Sequence, residues 1–122
     1  MIEMKRIYEP ALPEDGFRIL VDRLWPRGIS KEKAEINLWA KEITPSTEIR
    51  KEFGHKPENF EAFKGQYLSE IARNPAFDPF VKSIKQILDD GSRVTFVYAA
   101  KDPKFNHVVI LKKAVEKRMD EI

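Results

Sequence analysis

Two stretches of the chain carry most of its chemically versatile side chains. Asp22-Arg23-Leu24-Trp25-Pro26-Arg27-Gly28 sets a carboxylate, two guanidinium groups and an indole close together, and Lys101-Asp102 is soon followed by Asn106-His107. Arginine offers a planar fork of donors that matches a carboxylate or phosphate, and lysine adds a compact point charge on a flexible stem. Histidine carries a proton near neutral pH. Arg23, Arg27 and Lys101 therefore form a candidate clamp for a small anionic ligand, with Asp22 orienting the arginines. Trp25, Asp102 and Asn106 are candidate lining residues, and His107 or His55 a candidate proton carrier. Plainer roles stand beside these. Asp22 and Arg23 can pair with neighbours at a strand end, Trp25 can be a lid over the core, and Asp102-Pro103 is also an ordinary turn initiator.

Other chemistries are narrowed by what the sequence contains. With no cysteine, disulfides, thiolate nucleophiles and cysteine-based zinc sites drop out. His55 and His107 lie too far apart in sequence for a ligand spacing; with Asp22 or Asp102 they make a two-histidine, one-carboxylate set only if folding gathers them, so no metal ligands are assigned and the cofactor is left open. The motifs for triphosphate, dinucleotide, lipase-type and zincin chemistry are absent. The formal net charge is +2, from 22 basic and 20 acidic residues, so no global field holds the protein on nucleic acid or membrane. A rival reading is a nucleic-acid or protein interaction module that uses the basic residues between Trp25 and Lys33, with nucleic acid disfavoured by the charge balance.

The positioning elements follow from periodicity. At 122 residues, 42% of them hydrophobic, the chain suits one domain spanning 1–122 with one core. Ile2 to Ile7, Phe17 to Val21 and Arg93 to Tyr98 read as strands. Residues 36–43 are ambiguous between a short strand and an irregular edge. A short helix should start at Thr44 or Ser46 and close at Gly54, with Ile49 and Phe53 on one face. A longer one should follow Pro57 through Phe60, Phe63, Tyr67 and Ile71. Asp78-Pro79 should cap a third, with Phe80, Ile84, Ile87 and Leu88 as its apolar face, and a last helix carries Val108, Leu111, Val115 and Met119. Helical patterns between strands predict an α/β fold: a small, mostly parallel sheet covered by helices in two or three layers. Phe17–Val21 and Val94–Tyr98 should then be parallel, side by side or one strand apart. Loops leaving such strands share the carboxyl edge, which would bring the two loaded stretches together. No apolar run reaches the roughly 20 residues of a spanning helix, and Met1 to Arg6 lacks a secretory apolar region, so no membrane association and a cytoplasmic location are expected. The oligomeric state is left open.

The run Leu20 to Lys31, then Leu38-Trp39, Pro45-Ser46, Phe53-Gly54-His55, Tyr98 to Asp102 and Asn106-His107 resemble the YeaO-like branch of a large domain-of-unknown-function family. The resemblance covers nearly the whole chain and implies a small α/β domain without implying an activity. Other branches carry a cysteine near the second strand end and a Cys-His-Arg element beyond it. Here the region reads Tyr98 to Lys101 and Asn106-His107-Val108, which speaks against thiol chemistry. Some members carry a winged-helix regulator label, but this sequence has no basic recognition helix.

Overall fold

Alternating and continuous apolar runs near the start, middle and end of the chain form one four-stranded sheet in the computed structural model, which describes residues 1–122. The strands are β1 (Ile2–Arg6), β2 (Phe17–Leu20), β3 (Leu38–Trp39) and β4 (Val94–Tyr98), in the spatial order β1-β4-β2-β3. Every pairing is parallel. β4 lies between β1 and β2, with Ile2 and Phe17 both opposite Val94, so of the two expected arrangements, side by side or one strand apart, β2 and β4 take the first. β3 adds only Leu38 and Trp39, beside Ile19 and Leu20. The ambiguous 36–43 stretch is thus a two-residue edge strand followed by a tight turn at Lys41–Ile43.

The helices are α1 (Lys31–Ala34), α2 (Thr47–Phe53), α3 (Phe60–Arg73), α4 (Phe77–Asp89) and α5 (His107–Glu121). Strand alternation sends Ile19, Val21, Val94 and Phe96 to one face, where they pack with Ile49 and Phe53 of α2, Phe63 and Tyr67 of α3, Ile84 of α4 and Leu111 of α5. The other face presents Ile7, Leu20 and Val97 to a thin cover made by the β2–β3 connection, through Trp25, Ile29, Ala34 and Ile36. The two faces are therefore covered unequally, one by four helices and one by a loop with a single helical turn.

Two sequence expectations change in detail. α4 begins at Phe77, so Asp78 lies inside the first turn and its carboxylate pairs with Arg118 instead of capping. The buried stripe becomes Phe77, Phe80, Val81 and Ile84, an i, i+3, i+4, i+7 set, and this leaves Ile87 and Leu88 only half-buried. Ser46 does occupy the N-cap position of α2, but its amide and hydroxyl both donate to the Glu70 carboxylate, at 2.9 and 2.5 Å. α2 is fastened to α3 by this contact.

The thinly covered face also holds a buried ionic cluster. Asp15 accepts from Arg18 at 2.6 Å, from Lys5 at 3.1 Å and from the amide of Leu12, while Arg18 also donates to the carbonyl of Ala34. Gly16 next to it has φ 68°, and a Cβ there would stand 2.4 Å from the carbonyl oxygen of Arg93; only glycine lets the chain enter β2 at this point.

Candidate functional site

β2 and β4 are adjacent and parallel, yet their outgoing chains part. After β2 the chain turns to the thinly covered face, because Pro26 supplies no amide for a ladder and Trp25 packs edge-to-face on Trp39 at 5.4 Å. After β4 it crosses to the helical face, where Val108 and Leu111 of α5 enter the main core. Such a divergence opens a crevice outside the strand ends, the usual ligand position in open α/β sheets. Here the crevice is a pocket of about 550 Å³ lined from both loops and from the end of α2. A second pocket of about 310 Å³ adjoins it, with Arg50, His55 and His107 in both.

Asp22 forms the floor. Its Oδ2 accepts from the amide of Ala99 at 2.9 Å, its Oδ1 stands 3.4 Å from His107 Nε2, and its carbonyl accepts from the indole of Trp39 at 2.7 Å. His107 Nε2 lies 2.7 Å from the carbonyl oxygen of Val21. A carbonyl only accepts, so Nε2 carries a proton there, and Nδ1 has no protein partner. The first residue of α5 is thereby held against the end of β2. Asn106, just before it, caps the helix by accepting from the amide of Val109 and donating to the carbonyl of Asp102. Asp102 in turn accepts from the amides of Lys104 and Phe105, which hold its carboxyl below the usual carboxylate range.

The cations divide into fastened and unfastened groups. Arg23 lines the pocket, but its Nε donates to the carbonyl of Pro45 at 3.0 Å and a second nitrogen lies 3.4 Å from that of Thr44. Arg6 is likewise bound to the carbonyls of Ala99 and Ala100, at 2.7 and 3.0 Å, and shapes the β4 loop from β1. Lys101, Arg50 and His55 line the pocket with no ion pair or hydrogen bond from their side chains. His55 sits at φ 58° after Gly54 at φ 55°, two successive left-handed residues that turn the chain at the end of α2.

A match across the whole chain joins this geometry: the family model described as the inactive DUF488-N3 subclade covers residues 1–122. The chain belongs to this subclade. The uncharacterized protein YeaO of Escherichia coli (strain K12) is 43% identical over 112 residues, 90% of this chain and 92% of that protein. Uncharacterized proteins Mb3100c of Mycobacterium bovis and Rv3073c of Mycobacterium tuberculosis are each 34% identical over 117 residues, 96% of this chain and 95% of theirs. No solved structure matches.

In this DUF488-N3 domain the pocket brings together Asp22, Arg23, Trp25, His55, Lys101, Asp102 and His107, and Asn106 lines the adjoining one. Arg27 lies outside both. Its side chain is exposed, and its carbonyl accepts from the hydroxyl of Tyr8 at 2.8 Å. Asp22 touches neither arginine; its oxygens serve Ala99 and His107. No three histidine, aspartate or glutamate side chains gather to hold a metal ion, and no helix is long and apolar enough to cross a membrane. Arg50 is the residue that sequence reasoning missed. Within Thr47–Phe53 it sits next to the buried Ile49 and looks like any solvent-facing helix cation; only the placement of α2 beside the β2 and β4 ends sets it in the pocket.

Proposed function

We propose that the pocket at the β2 and β4 ends binds a small anionic ligand, bearing phosphate or carboxylate, without chemical turnover. The observation that carries this reading is that Arg50 and Lys101, from separate elements of the chain, line one pocket with neither side chain in an ion pair or hydrogen bond. Asp22 and Asp102 line the same pocket, but neither forms an ion pair with Arg50 or Lys101: Asp22 accepts from the amide of Ala99 and faces His107, and Asp102 accepts from two backbone amides. Like charges held near one another are stabilised by an intervening anion, and Arg50 supplies the fork that fits one. Binding over turnover is supported by the subclade's description as inactive.

Titration with inorganic phosphate at constant ionic strength, followed by amide chemical shifts, tests this reading. Saturable shifts confined to Ala99–Asp102 and the end of α2 are expected. Shifts no larger than those caused by chloride, or spread over the exposed Arg27, Lys31 and Lys33, would sink it.

A further inference from the structure

The pocket is more than a seat for a bare anion. A volume of about 550 Å³ falls within the range of about 300–1,000 Å³ that encloses an organic molecule, and a phosphate alone would leave most of it empty. Its walls also differ in chemistry. Arg50 and His55 come from α2, whose Ile49 and Phe53 belong to the helical face of the sheet. Leu24, Trp25 and Pro26 come from the chain that leaves toward the other face. The pocket thus joins cationic side chains from one element with apolar carbon from another.

The apolar wall is held ready. Trp25 donates its only indole proton to the carbonyl of Ile29 at 2.8 Å and rests edge-on against Trp39, so what it offers the pocket is carbon. Leu24 beside it is 67% exposed, far more than any core aliphatic of this chain, and it lines both pockets. The alternative apolar surface, in the adjoining pocket, is poorer. Phe53 and Phe63 there are stacked on each other at 4.5 Å and almost fully buried, which leaves little ring surface to offer.

Resting on the anion-binding reading above, we propose that the ligand is a ring-bearing anion. Its charged group lies toward Arg50 and Lys101, and its apolar ring lies against Leu24, Trp25 and Pro26. The test compares inorganic phosphate with phenyl phosphate on the unaltered protein, and acetate with benzoate as the carboxylate series. In at least one series the ring-bearing member should bind about tenfold tighter or more, equivalent to about 1.4 kcal/mol. Its ring protons should give nuclear Overhauser contacts to the Trp25 indole and the Leu24 methyls. Leu24→Ser, at an exposed position, should reduce the ring's advantage, read as the ratio of phenyl phosphate to inorganic phosphate affinity in the same variant. Equal affinities within both series, or contacts to Phe53 and Phe63 instead, would overturn the ring-bearing proposal while leaving the anion site standing. Failure of every anion to bind would remove both.

Discussion

The carboxylate of Asp22, one residue beyond the helical-face Val21, accepts from the amide of Ala99 at 2.9 Å and so ties the end of β2 to the end of β4. The same side chain stands 3.4 Å from His107 Nε2. Two loops that diverge to opposite faces are thus pinned at their common root by one acceptor. Asp22→Ala should lower unfolding free energy by about 1–3 kcal/mol, since it strands a partly buried amide. Asp22→Asn keeps an oxygen for Ala99 and should lose clearly less in the same urea melts. Equal losses for the two variants would show that charge toward His107, and not the acceptor for Ala99, is what the fold uses.

A second carboxylate makes stability depend on acid. Burial pushes the Asp15 carboxyl up, but the amide of Leu12 and the side chains of Lys5 and Arg18 together outweigh it and hold the group below its usual value. A carboxyl whose folded pKa is depressed contributes stability that is complete above its unfolded value of 3.8 and is lost as pH falls through the folded one. Urea midpoints should therefore decline below about pH 5. Asp15→Asn should be less stable at pH 7 by about 3 kcal/mol or more, because Arg18 is left buried without its partner, and its midpoint should fall less between pH 5 and pH 3. An acid dependence unchanged in Asp15→Asn would assign it to other carboxylates, such as Asp78 on its exposed pair with Arg118.

The strands and long helices were legible because their apolar periods are long. Phe17–Val21 and Val94–Tyr98 read as parallel, side by side or one strand apart, from the helices between them, and they pair directly. The end of α4 was harder to read, since Phe80, Ile84, Ile87 and Leu88 share one helical face with Phe77 and Val81, and only the packing of the helix decides which end of that face is fully covered. Paired substitutions discriminate the two stripes. Ile84→Ala, at a fully buried position, should cost about 2–5 kcal/mol, whereas half-buried Ile87→Ala should cost less than half as much. Similar losses at both positions would restore the stripe read from sequence.

The site was legible only in part, for a topological reason. Arg27 looks like a partner of Arg23 because only three residues separate them, yet the chain crosses to the thinly covered face after Pro26 and carries Arg27 away. Arg50 enters from a different element, and nothing in its local sequence marks it. Proximity along the chain stands in for proximity in space only while the backbone keeps its direction, and a divergence point is where that fails.

Arg23 and Arg50 line the same pocket and should nevertheless respond oppositely to substitution. Arg23 is spent on the carbonyls of Pro45 and Thr44, which lead into α2, so Arg23→Ala should cost about 1–2 kcal/mol of stability, toward the low end for bonds to a charged donor because the site is partly open to water. Arg23→Lys should recover little of that loss, since an ammonium cannot reproduce the fork. Arg50 has no partner to abandon, so Arg50→Ala should leave stability within about 0.5 kcal/mol. Phosphate affinity should show the reverse order, with Arg50→Ala losing several-fold or more and Arg23→Lys, corrected for the folded fraction, losing little. Urea melts and phosphate titrations on these three variants suffice. A stable Arg23→Ala protein that no longer binds phosphate would make Arg23 the ligand contact and reduce Arg50 to an ordinary surface cation.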